Sequence, residues 1–247
     1  MFFLVLIIAF VGFLVGLTGI GGILAIPAII VFADAPAHVA MGTALSSFFL
    51  VGLVGTANFK AMGVLNRKEW LPLCLGGLPC AFIGAKFNNI LPASVLLFLL
   101  GCIIILAGVS ALRPWKALKG LNVTDSEHAP KVIAAVGAVS GLIAGMTGAG
   151  GPVLSIPMLI SFGMAPFAAV VTGMPFQITT SIAGSAGNLL NGNIDPELLA
   201  WIVVPIVLGL VIGNRVAPHI PSQMLKRGIG VLCLCIGVYQ CLRAVYP

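Results

Sequence analysis

The stretch GLTGIGG at residues 16–22 returns as GMTGAGG at residues 145–151. Both copies sit inside long apolar runs, Phe2–Ala33 and Val132–Phe162. A membrane-spanning helix takes roughly 17–25 residues, so neither run fits one upright span. Glycine opens backbone angles closed to other residues, and a proline cannot continue a helix's hydrogen bonds. Pro27 and Pro157 follow the two stretches. Each run is therefore expected to be two half-helices meeting at a glycine-rich break.

The correspondence runs on through the chain. Gly16/Gly145, Thr18/Thr147, Gly19/Gly148, Gly21/Gly150 and Gly22/Gly151 all share one offset in the numbering. Pro152 acts as a one-residue insertion, so Pro27/Pro157 and Pro36/Pro166 are offset by one more. The first offset returns at Gly63/Gly192, Gly84/Gly213, Lys86/Arg215, Pro92/Pro221 and Gly101/Gly230. The chain reads as a first membrane repeat over residues 1–112, a connecting loop over 113–131 and a second repeat over 132–247.

Composition names the solvent. Of 247 residues, 60% are hydrophobic and 7% charged, with a mean hydropathy of +1.19. Soluble domains carry roughly 25% charged residues. Six further apolar runs, Val39–Phe59, Trp70–Ala85, Leu91–Leu112, Phe167–Leu190, Leu198–Gly213 and Met224–Val245, complete the pattern of an all-α polytopic membrane protein. The net charge of +6 does not indicate nucleic acid, because the basic residues stand singly or in pairs between apolar runs, as loop anchors do. The N-terminal segment lacks a basic region and a cleavage site, and reads as mature chain. Six cysteines lie in apolar runs without metal-ligand spacing and read as packing residues.

Charge also speaks to topology, because Lys and Arg gather in cytoplasmic loops. If each broken run crosses once, the copies are parallel and the basic residues divide eight to four. If each broken run is a hairpin, the copies are inverted. One side then holds residues 60, 67, 68, 113, 116, 119, 131, 215, 226 and 227, and the other holds only Lys86 and Arg243. The second division is far cleaner. The expected architecture is two inverted repeats, each a broken, re-entrant helix pair plus three transmembrane helices. Both termini are then extracytoplasmic and residues 113–131 cytoplasmic.

Irregular backbone at membrane depth is tolerated only inside protein or along a wet cavity. Paired glycine-interrupted segments in matching positions are the best sequence pointer to a transporter's binding site. Two half-helix N-termini aimed at one point attract an anion without a buried cation. Thr18, Gly19, Gly21, Gly22, Thr147, Gly148, Gly150 and Gly151 are the candidate site. Asn58, Gln177 and Asn188, neutral donors within the spans, are added to it. Other hydroxyls there, Thr43 and Thr172 among them, are weighed against ordinary interhelical bonding. No acidic residue falls mid-run, and no nucleophile–base pair or metal-ligand cluster appears, so catalysis, cofactor and metal have no support.

The twin segments GLTGIGG and GMTGAGG, each near the start of one half of the chain, resemble the sulfite exporter TauE/SafE family, also called the toluene-sulfonate uptake permease family. The resemblance covers the whole chain. It implies an inner-membrane carrier of small anions: sulfite, sulfonates or other organosulfur compounds, and in some members organic acids. The motif residues carry over as the eight break residues named above. Ile23 stands where the second copy has Pro152, so the two half-sites are unequal. An alternating-access transporter is the function expected, with an anion channel as its rival. The sequence does not choose between a proton and a sodium ion for coupling, nor between a monomer and a homodimer.

Overall fold

The computed structural model describes residues 2–18, 21–112, 128–216 and 222–245. Among them are ten α-helices and no strand. Helix α1 is Phe2–Thr18, a 3-10 turn follows at Gly21–Leu24, and α2 is Ala25–Phe32. Then come α3 (Ala37–Ala61), α4 (Arg67–Ile90) and α5 (Ala93–Leu112). The second half runs α6 (Ala129–Thr147), α7 (Pro152–Ser161), α8 (Pro166–Leu190), α9 (Pro196–Val216) and α10 (Ser222–Val245). Most of the connecting loop expected at 113–131 lies outside the described residues; α6 begins inside it.

Helices α3, α4, α5, α6 and α9 are each long and apolar enough to cross a bilayer. Their outer faces carry exposed Leu75, Leu78, Ile90, Val204 and Leu208, a surface that suits lipid. The chain is a multi-pass, all-α membrane protein.

Matching residues start and stop matching helices. Asn66 accepts the Lys68 N–H and caps α4. Its repeat equivalent Asp195 accepts the Glu197 and Leu198 N–H groups and caps α9. Helices α3 and α8 end alike. Gly63 and Gly192 take φ of 69° and 71°. The Val64 and Asn193 N–H groups reach back to the carbonyls of Phe59 and Asn188, which is the Schellman cap glycine allows.

The broken runs divide unequally. Helices α1 and α6 have 17 and 19 residues, whereas α2 and α7 have 8 and 10. The long arms are held by close helix packing. Gly12 and Gly16 of α1 lie on the backbone of α9, and Gly137, Gly141 and Gly145 of α6 on that of α4. A Cβ at Gly141 would stand 2.6 Å from the Gly77 carbonyl oxygen. Small residues that let backbones touch are how membrane helices associate.

These contacts fix helix directions. Gly42 of α3 meets Asn193 and Asn188, Gly52 meets Ile178, and Gly55 meets Met174, so α3 and α8 run antiparallel. Gly101 meets Cys241 and Gly108 meets Gly230, so α5 and α10 also oppose. Helix α1 runs parallel to α9, with Gly12 at Ile206 and Gly16 at Leu210. Helix α4 runs parallel to α6, with Leu73 at Gly137 and Ala81 at Gly145. One end of the bundle, here the lower end, therefore carries Phe2, Pro36, Ile90 and Asn193. The upper end carries Ala61, Arg67, Ala129, Ser161 and Val216. The short α2 leads back to the lower end, where α1 began; α7 leads back to the upper end, where α6 began. Among the described side chains, Lys60, Arg67, Lys68, Lys131, Arg215 and Arg227 lie at the upper end, and Lys86 and Arg243 at the lower.

Candidate functional site

The second break is built by its glycines. Helix α6 stops at Thr147, and Gly148 turns left-handed at φ 69° while donating its N–H to the Ala144 carbonyl at 2.8 Å. A Cβ there would collide with the Met41 backbone. Gly150 is left-handed too, at φ 80°. Thr147 is spent on the helix end: its hydroxyl donates to the Ile143 carbonyl at 2.8 Å and accepts the Ala149 N–H at 3.4 Å. Helix α7 then starts at Pro152, which has no N–H to lose. The Ser155 N–H bonds the Gly151 carbonyl at 3.2 Å. Those of Val153 and Leu154 have no helical acceptor, as in any first turn.

Both breaks face one small cavity. Its walls are Val15, Gly22, Phe48, Val51, Ala149, Pro152, Val153, Met174 and Gln177, and its volume is about 20 Å³, on the order of one water molecule. The walls come from the first break, the second break and the middles of α3 and α8. Among the described residues, Gln177 is the one polar side chain in this wall, and it is 7% exposed. Its amide lies over Gly150: a Cβ at that glycine would stand 2.9 Å from Nε2 and 3.1 Å from Oε1. No described residue hydrogen-bonds that amide. A buried amide without a partner is costly unless something else satisfies it.

A larger vestibule of about 640 Å³ shares Val15 and Met174 with the cavity. Asn58, Met62, Phe167 and Asn214 help to line it, and these belong to the upper ends of α3, α8 and α9. Val15 and Met174 stand in both walls.

The lower end carries a polar hub. Asn88 of α4 is fully buried. Its Nδ2 donates to the Met146 carbonyl at 2.6 Å and toward the Met41 sulfur at 3.5 Å. Its Oδ1 accepts from Asn193 Nδ2 at 3.2 Å and faces His38 Nδ1 at 3.3 Å. Both donors and both acceptor positions of the amide are used. The hub ties α3, α4, the α6 break and the α8–α9 turn together.

The candidate residues fall in three places. Gly22 and Gln177 line the cavity and Gly150 lies against the Gln177 amide, whereas Gly151 packs on Phe176 and Thr180. Gly21 opens the 3-10 turn, Thr147 and Gly148 form the α6 end, and Gly19 and the Thr18 side chain lie outside the described residues. Asn58 is exposed in the vestibule wall. Asn188 is buried at the lower end, donating to the Gly184 carbonyl at 2.9 Å with its Oδ1 unpartnered. The structure therefore does not bring Asn58 and Asn188 together with Gln177. Thr43 and Thr172 are interhelical links, Thr43 accepting the Asp195 N–H and Thr172 donating to Glu69. Sequence reasoning misses Phe48 and Asn88. Phe48 has a signal, since it is the repeat equivalent of Gln177, at the same offset as Gly22 and Gly151.

The pattern of a family described as Sulfite exporter TauE/SafE matches residues 4–240. The chain is similar to the probable membrane transporter protein YdhB of Bacillus subtilis, 25% identical over 92% of this chain and 94% of that protein. It is 28% identical to the probable membrane transporter protein YunE of the same organism, over 91% of this chain and 88% of that one. With the probable membrane transporter protein y4hK of Sinorhizobium fredii it shares 27% identity over 79% and 80% of the two chains. No solved structure matches it.

Proposed function

Since this chain belongs to the sulfite exporter TauE/SafE family, a family whose relatives here are probable membrane transporters, we propose that it carries a small anion across the inner membrane by alternating access. Sulfite or an organosulfonate is the substrate favoured, and a small organic acid is the alternative. One observation carries the reading: both glycine breaks wall one central cavity, lined also by the Gln177 amide, to which no described residue hydrogen-bonds, and by the first turn of α7. A helix N-terminus and amide N–H groups attract an anion without a buried cation. Asn58 lies on the approach and Gln177, Gly150 and Gly151 at the binding point. A cavity of about 20 Å³ is smaller than any polyatomic anion, so loading requires α3, α8 and the breaks to part. The vestibule at one end and the polar hub at the other give such movement a direction.

The halves act as inverted repeats in this reading. Support comes from the opposed directions of α3 and α8 and of α5 and α10. Positive charge at the upper end supports a cytoplasmic face there. A reporter fused after Val245 is then expected to be active only if it works outside the cytoplasm. Cytoplasmic activity at that position sinks the topology.

Counterflow in proteoliposomes separates carrier from channel. A carrier loaded with unlabelled anion inside speeds uptake of labelled anion several-fold. Uptake indifferent to the internal anion would instead favour a channel gated at the breaks.

A further inference from the structure

Repeat-equivalent residues face the cavity with opposite chemistry. Phe48 and Gln177 occupy the same position in the two repeats, and both line it. The Phe48 ring rests on the first break: a Cβ at Gly22 would lie 3.1 Å from Cε1 and 3.2 Å from Cζ. The Gln177 amide rests on the second break, over Gly150. Phe48 is 2% exposed, and its neighbours in the wall, Val15 and Val51, are apolar. On the other side stand the amide and the first-turn N–H groups of α7.

We propose that Phe48 is the specificity-determining residue of this cavity, holding the apolar flank of an organic anion whose charged head lies against Gln177 and the α7 N-terminus. The inference rests on the cavity being the transport site. A bare oxyanion presents hydrogen-bond acceptors in every direction, and the side chains on the first-repeat side of this wall, Val15, Phe48 and Val51, have nothing to donate to it. Leaving those acceptors dry is costly. An anion with one charged head and one apolar flank, sulfonate or carboxylate, satisfies both sides.

The test is uptake of sulfite, benzenesulfonate and benzoate by the purified, reconstituted protein and three variants. The native protein is expected to prefer an aryl anion over sulfite by roughly tenfold or more, the scale on which an apolar pocket discriminates. Phe48→Gln, which makes the equivalent positions alike, is expected to shift the ratio toward sulfite by roughly tenfold. Phe48→Leu keeps an apolar wall without the ring, folds if the amide variant does not, and is expected to lower aryl uptake while leaving sulfite poor. Gln177→Leu is expected to depress all three anions together. A native protein that takes sulfite as readily as the aryl anions overturns the proposal, as do Phe48 variants that change every anion equally. If Gln177→Leu and both Phe48 variants leave all uptake unchanged, the cavity is not the transport site, and the underlying reading falls with the inference.

Discussion

Gly150→Ala is expected to cost this protein most of its transport while leaving it folded. The substitution does two separable things. Gly150 has φ 80°, and a side chain in the left-handed region costs about 1–2 kcal/mol. The new Cβ would also stand 2.9 Å from Gln177 Nε2 and 3.1 Å from Oε1. No real Cβ sits that close, so the amide must swing away. That movement is cheap for stability, because the obstacle is the far end of a flexible side chain. It is costly for binding, because the amide is the cavity's one polar side chain among the described residues.

Two other glycines isolate the first effect. Gly63 and Gly192 have φ of 69° and 71°, and a Cβ at either meets nothing within 4 Å. Gly63→Ala and Gly192→Ala should each lose the same amount of stability, about 1–2 kcal/mol, with uptake nearly intact. Gly150→Ala should lose similar stability and at least about tenfold in uptake, since about 1.4 kcal/mol of lost binding is tenfold. Anion binding and thermal unfolding measured on all three variants decide the matter. Equal uptake in the three would show that the amide over Gly150 plays no part.

Why is so much of this legible in the chain? The breaks stand out because glycines cluster there with a proline following, and the cluster repeats at one spacing. The hairpin reading comes from charge. The unequal arms do not show, because helix length there is set by glycine contacts between α1 and α9 and between α6 and α4, and sequence alone does not say which helices touch. The site is half legible. Asn58 and Asn188 match as polar with polar only one position out of register, as the pair Thr43 and Thr172 shows for α3 and α8. In the true register Asn188 answers to Phe59, and Gln177 to Phe48. A search for like residues cannot find a position where the repeat has been made unlike, and the cavity sits at such a position. Asn88 escapes for a different reason. At the end of an apolar run it reads as a boundary residue, and its burial depends on Met146 and Asn193 arriving from elsewhere in the chain.

Asn88→Leu should release the lower end. Leucine has the same branched outline, but a methyl cannot sit 2.6 Å from the Met146 carbonyl as the amide nitrogen does, so crowding adds to the lost bonds. Leucine leaves the Met146 carbonyl and the Asn193 amide without their partner, and a buried polar group left unsatisfied costs about 1–3 kcal/mol. His38 is half-buried and can turn to solvent, so it adds less. The total of two such losses is roughly 2–6 kcal/mol. The protein can escape that cost by admitting water to the hub, which means parting α3, α4 and the α8–α9 turn. Two measurements should move together. The thermal midpoint should fall by roughly 4–24 °C, given about 2–4 °C per kcal/mol for a chain of this size. Counterflow should weaken, because a carrier that no longer closes one end exchanges less strictly. Asn89→Leu, one residue on and exposed, is the control and should change neither. If Asn88→Leu keeps native stability and full counterflow, the hub is packing detail and the lower closure lies elsewhere. If stability falls but counterflow holds, the hub fastens the fold without gating it. Only the joint loss ties the hydrogen bonds of Asn88 to the closing of one end, which is the step that an alternating mechanism requires and a fixed pore does not.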